Sequence, residues 1–179
     1  MKRKLSTAVL ILAVIVGGIV GVQQYQLYQT KQYSPAEIAS YSNNAINIEV
    51  TYSRPFKKDR EIFGKLVPYG KWWRTGANEA TTIQLSRDVS FSGKTLKAGL
   101  YSLVTIPGET EWQIIFNNQI HDWGTVYTPE DDELRVTAKV EELPEVVEQF
   151  TIDFSEENGG PVLIMAWDKT KVSTPFKVL

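Results

Sequence analysis

Eight residues with functional side chains fall within residues 52–82, YSRPFKKDREIFGKLVPYGKWWRTGANEATT: Arg54, Arg60, Glu61, Trp72, Trp73, Arg74, Asn78 and Glu79. A core alone does not need such a mixture. A guanidinium offers a planar fork of donors to a carboxylate or carbonyl. Asn78 and Glu79 add hydrogen-bonding groups, and a tryptophan face suits a sugar or another amphipathic ring. The expected site is a pocket for a glycan or other small polar ligand in which Arg60 or Arg74 orients the polar group and a tryptophan stacks. A plainer arrangement uses the same side chains, with Arg60, Arg74, Glu61 and Glu79 pairing beneath a sheet to fix the loops. A third makes Glu61 or Glu79 the acid or base of a hydrolase, with carboxylates about 5 or about 6.5–9.5 Å apart if the bond is glycosidic.

Other candidate groups are weaker. His121-Asp122 has the residue types of a base and its orienter, but no G-x-S-x-G motif supplies a nucleophile, and neighbours in a strand point apart. His121 is expected on a surface loop, with Trp123-Gly124 beside it as a packing corner. Glu130-Asp131-Asp132-Glu133 lacks the alternating spacing of a dedicated calcium loop and reads as an acidic turn before a strand. The chain has no cysteine and one histidine, which removes disulfides, thiol nucleophiles and zinc sites of the usual kind. No phosphate loop, dinucleotide fingerprint or kinase signature occurs, and no cofactor is expected.

The 179 residues allow one domain plus an appendage, and 42% apolar content is enough for a core. Lys2, Arg3 and Lys4 carry three of the 19 positive charges; the rest holds 16 against 21 acidic residues, a net of −5. A mildly acidic domain is a poor partner for a polyanion, so nucleic-acid binding is excluded.

These side chains need a scaffold. Residues 1–4 form a basic flank, and residues 5–22 an almost unbroken apolar run. As a helix that run spans roughly 27 Å, about the hydrocarbon thickness of a bilayer. The flank is expected to stay cytoplasmic and the rest of the chain to face outward, periplasmic or at the cell surface. The exit Gly18-Ile-Val-Gly21-Val-Gln is a weak cleavage site, so an uncleaved anchor is preferred to a signal peptide. Residues 23–44 read as a polar tether, with one short helix starting at Ser34-Pro-Ala-Glu37.

From residue 45 the apolar period becomes two. Ile46/Ile48/Val50/Tyr52, Ile83/Leu85, Trp112/Ile114/Phe116, Leu134/Val136/Ala138/Val140 and Phe150/Ile152/Phe154 alternate with polar residues. The denser runs 100–106 and 162–167 fit strands covered on both faces. Turn signals separate the strands at Ser92-Gly93-Lys94, Pro107-Gly108, Asn117-Asn118, Thr128-Pro129-Glu130-Asp131 and Asn158-Gly159-Gly160-Pro161. Residues 45–179 are thus expected to form an all-β antiparallel sandwich or jelly-roll-like domain. Within residues 52–82, Arg54-Pro55 should end a strand. Gly64, Gly70 and Gly76 suggest tight turns, and the adjacent tryptophans should face opposite sides.

Several blocks carry a family resemblance: YSRP at 52–55, REIFG at 60–64, VPYG at 67–70, WRTGANEAT at 73–81, Gly93 with LKAGLYSL at 96–103, and IPG at 106–108 with Trp112. Over residues 46–154 the chain resembles the bacterial family catalogued as domain of unknown function 2911 (DUF2911). The resemblance implies an exported, sheet-rich domain and brings no catalytic residues to carry over. It also implies a cleavable signal, from which the anchor-like segment here departs. The expected protein is a membrane-anchored, non-enzymatic binding module of the cell envelope; a hydrolase and a module that pairs with another envelope protein through a sheet edge are the alternatives.

Overall fold

The structure, a computed structural model, describes residues 2–157 and 160–179, the side chains of residues 2–8 and 10 excepted. It divides into residues 1–33 and residues 34–179.

The first unit is helix α1 (Lys2–Tyr33). Met1 and the side chains of Lys2, Arg3 and Lys4, on which the expected cytoplasmic flank rests, lie outside the described residues. The apolar side chains of Ile11, Leu12, Val14, Ile15, Ile19 and Val22 are all exposed. The stretch Ile11–Tyr33 is long and apolar enough to cross a membrane, which fits a membrane anchor or a signal peptide. The helix outlasts the expected 5–22 span because Gln, a good helix former, recurs through the following residues. Thr30 Oγ1 donates to the Gln26 carbonyl at 2.8 Å within this polar end. Pro35 closes it, since the residue before a proline is driven from the helical region.

The second unit corrects two expectations at its start. There is no short helix at Ser34 and no tether reaching residue 44. Instead β1 (Ala36–Ser42) pairs antiparallel with β2 (Asn47–Ser53) along its whole length. Tertiary pairing overrides the local cap signal here: Ser34 is buried, and the Arg54 amide donates to the Pro35 carbonyl at 2.8 Å.

The remaining strands are β3 (Thr82–Leu85), β4 (Val89–Phe91), β5 (Lys94–Leu96), β6 (Gly99–Ile106), β7 (Glu111–Asn117), β8 (Asp132–Glu157) and β9 (Gly160–Val178). The domain is all-β and antiparallel, in one open sheet of order β1-β2-β3-β6-β7-β8-β9-β4-β5. Its two layers are therefore parts of one continuous sheet, joined through β8. The alternations expected at 134–140 and 150–154 lie on this one strand, which shifts register against β9 between Glu142 and Val147 and again before Thr151. Pro144 sits in the first irregularity, where a missing amide breaks no ladder. Opposite, Asp168 takes φ 56°. The bend folds the β8–β9 ribbon back, so that the Phe154 and Phe176 rings come within 6.5 Å. The expected turn at the ribbon tip begins on Asn158 and Gly159, outside the described residues; Pro161 already belongs to β9.

The core lies between the folded layers. Tyr52 from β2 meets Phe150 of β8 edge-on at 5.8 Å, and Phe91 of β4 meets Phe116 of β7 at 4.9 Å. The Tyr52 hydroxyl donates to the Ile152 carbonyl at 3.2 Å and accepts from the Ile152 amide at 3.0 Å. Phe91, Phe116 and Phe150 are fully buried, and each such side chain contributes about 1.5–3 kcal/mol relative to exposure.

Candidate functional site

The segment between β2 and β3 is fixed by aromatic packing and one short pairing. Trp73 exchanges both backbone hydrogen bonds with Thr105 of β6, at 2.7 and 2.9 Å. Its indole enters the core, stacked on Trp167 at 5.9 Å and edge-on to Phe63, Phe150 and Trp112. An extended residue with its side chain inward turns its neighbours outward. Trp72 and Arg74 consequently share the opposite face. Trp72 is 40% exposed and packs against Tyr127 at 5.6 Å.

Behind Arg74 the chain turns sharply. Thr75 and Asn78 take φ 56° and 58°, a region costly for a β-branched residue, by about 1–3 kcal/mol. Hydrogen bonds hold the turn: Thr75 Oγ1 to Thr105 Oγ1 at 3.2 Å, Thr81 Oγ1 to the Thr75 carbonyl at 2.9 Å, and the Asn78 side-chain amide to the Ser34 carbonyl at 3.2 Å. Gly76 is required, because a Cβ there would lie 2.8 Å from the Ser53 carbonyl oxygen.

The facing wall is the loop between β7 and β8. Asn117 braces it at both ends, accepting from the Gln119 amide and donating to the Thr128 carbonyl, each at 2.8 Å. In the middle, the Gly124 amide donates to the Asn78 carbonyl at 3.0 Å. A Cβ on Gly124 would sit 2.8 Å from Arg74 Cδ and 3.1 Å from the Glu79 carbonyl oxygen. The expected packing corner thus packs directly on Arg74. Tyr127 is fixed from below. Its hydroxyl donates to Asp132 Oδ2 at 2.8 Å and accepts from Arg135 at 2.9 Å. Burial, and then the Asp132 carboxylate, push its pKa up to about 12.

The two walls enclose a narrow cleft. Trp72, Arg74, Ser102, Gln119, His121 and Val126 are among its lining residues. Its free volume of about 10 Å³ is room for about one water. The Arg74 guanidinium is half-buried, and burial lowers its pKa. It donates to the Asn78 carbonyl at 3.3 Å, and among the described residues it forms no ion pair. His121 Nε2 is buried with no hydrogen-bond partner. Apolar side chains at Trp72, Ile120 and Val126 are exposed at or beside the lip.

The eight expected site residues therefore separate. Trp72 and Arg74 line the cleft, with Asn78 and Glu79 supporting it from behind. Asn78 is buried, and Glu79 accepts from Ser53 Oγ at 3.2 Å. Trp73 is core. Arg54 is engaged elsewhere: Nε donates to the Phe150 carbonyl at 3.0 Å, and the two terminal nitrogens to Thr151 at 2.8 Å and Glu37 at 3.3 Å. Arg60 is exposed and donates to the Phe56 and Lys57 carbonyls, while Glu61 is exposed on the same loop. Arg60 and Arg74 form no ion pair with Glu61 or Glu79 among the described residues, so the expected pairing beneath the sheet is absent there. Neither glutamate is among the residues that line the cleft.

Sequence reasoning passed over Gln119 and Ser102 and set His121 aside as a surface-loop residue. His121 was readable only as a loop residue, because nothing local indicates that its loop folds back over β6 and Arg74. In the acidic turn, Asp132 is taken up by Asn117, Tyr127 and Arg135.

No curated protein and no solved structure matches the chain. A family model described as "Protein of unknown function (DUF2911)" matches residues 34–176, from the first residue after α1 almost to the end of β9. With its β-domain matched nearly end to end, the chain belongs to the DUF2911 family.

Proposed function

We propose that this protein is a membrane-anchored, outward-facing binding module whose cleft beside Trp72 takes a small polar ligand, a sugar being the best-fitting class. One observation carries the reading. A 40%-exposed tryptophan, braced by Tyr127, stands at the lip of a slot with a few recessed polar groups. Exposed aromatic surface beside convergent polar groups is the usual composition of a ligand site. The backbone strain at Thr75 supports it, since such strain is concentrated at functional segments.

The test is a thermal-shift and calorimetric screen of the full-length protein in detergent micelles against soluble sugars. A ligand that binds only the native state raises the midpoint by mass action. The expected result is a shift that Trp72→Ala removes while the unliganded midpoint stays within a degree or two. Responses identical in the native protein and Trp72→Ala would exclude this cleft.

Orientation follows from the basic flank before the apolar run, which favours a cytoplasmic N-terminus. The chain lacks cysteine, so Ser92→Cys gives one exposed thiol on the β4–β5 turn. A membrane-impermeant maleimide added to intact cells, their outer membrane permeabilised if they have one, should label it. Labelling only after lysis would place the domain inside.

A further inference from the structure

We infer that the recessed end of this cleft is a carboxylate subsite, so that the ligand of the proposed module is a ring-bearing organic acid of the uronic-acid type. The inference rests on the binding reading above and narrows it to a chemical class.

Three features of the cleft converge on that class. The first is the state of Arg74. A guanidinium has five N–H donors, and among the described residues only the Asn78 carbonyl takes one up. Its charge is half-buried without an ion-pair partner among the described residues, and burial penalises the charged form. A desolvated cation is ordinarily kept beside a counter-charge. Here the open position is the cleft that Arg74 lines.

The second is His121, on the opposite wall. Its Nε2 is buried and has no hydrogen-bond partner among the described residues, and an unpaired buried polar atom is costly. In the Nε2–H tautomer this atom is a donor. His121 and Arg74 line the same cleft.

The third is size and charge. Free space of about 10 Å³ admits a group comparable with one water before the walls give. A carboxylate, larger than one water, enters only as the walls give, and its two oxygens in one plane suit the fork of one arginine. A tetrahedral phosphate dianion is bulkier and brings a second charge into a domain whose acidic residues outnumber its basic ones. With its acid group at Arg74, the ring of the ligand is directed toward Trp72 and Val126 at the lip.

The experiment is calorimetry on the full-length protein in detergent micelles with glucuronate, its uncharged methyl ester, glucose and inorganic phosphate. Glucuronate is expected to bind at least tenfold more tightly than the ester or glucose, with phosphate weaker than glucuronate. Arg74→Gln should bring the acid-to-neutral ratio close to one, and Arg74→Lys should retain part of it. His121→Phe should lower the ratio severalfold. The ratio in the native protein tests the idea even if a variant folds poorly. Equal binding of acid and neutral sugars, or an unchanged ratio in well-folded Arg74→Gln, would overturn the carboxylate subsite yet leave a sugar site at Trp72. Phosphate tighter than glucuronate would overturn the carboxylate class. If neither acid nor neutral sugars bind, this inference and the binding reading fall together.

Discussion

Arg54 and Arg74 stand in the same β2–β3 segment, are both half-buried, and have opposite surroundings. Arg54 follows β2 directly and spends its donors on β8 and on Glu37 of β1. It acts as a rivet between the edge of the sheet and the folded-over ribbon. Arg74 stands on the outward side of Trp73, with one carbonyl as its protein partner and Gly124 close against its side chain. The same side-chain chemistry stabilises the fold at one end of the segment and, at the other, is the group to which the proposed reading assigns a ligand. Arginine content alone does not separate these roles; the acceptors nearby do.

The comparison breaks most visibly at the paired tryptophans. Trp73→Ala removes the centre of a five-ring cluster and should destabilise the domain by about 3–5 kcal/mol, read as a large drop in the thermal midpoint. Trp72→Ala should stay within about 0.5 kcal/mol of the native protein. Equal losses would show that Trp72 is also structural.

Next come the arginines. Arg54→Met deprives the Phe150 carbonyl, Thr151 and Glu37 of their donor and should reduce stability by about 1–3 kcal/mol in denaturant titrations. Arg74→Met, which removes a desolvated charge without an ion-pair partner, should leave stability within about 0.5 kcal/mol or raise it slightly. If Arg74→Met is the more destabilising, Arg74 is the rivet and the ligand argument fails.

Gly124→Ala sharpens the contrast without removing a polar group. The added methyl presses on Arg74 Cδ at 2.8 Å, so the acid preference should fall severalfold with only a modest change in midpoint. An unaltered preference would show that the position of Arg74 is not set by this contact.

The smallest expected effect is alkaline. Tyr127 holds its proton to about 12 in the folded state, against about 10 in an unfolded chain. The native state therefore keeps a proton that the unfolded state releases. Its contribution to stability is complete below pH 10 and is lost as pH rises through 12. Burial raises Tyr52 and Tyr101 in the same sense, so Tyr127→Phe should flatten this slope only in part. An unchanged slope would show that the Asp132–Tyr127 contact is not maintained in solution.

The fold was largely legible in the sequence because a sheet with one buried face writes a period of two. Ile48, Val50 and Tyr52 or Trp112, Ile114 and Phe116 show it without reference to any neighbour. The β1 strand was not legible, since Ser34-Pro-Ala-Glu carries a helix-start signal and only β2 and Arg54 reverse it. Nor was the continuity of β8: Pro144 reads as a break, and the bend that absorbs it depends on β9 opposite.

The sequence by itself determined the apolar helix and the antiparallel strands. Each of these depends on local period, propensity or composition. The tertiary structure alone decided which arginine is satisfied, which tryptophan is exposed, and that His121 joins the cleft some forty-seven residues after Arg74. Those outcomes depend on which backbone acceptors and loops approach from distant parts of the chain. Side-chain identity fixes what a group can bind, but only the packed neighbours fix what it is left to bind.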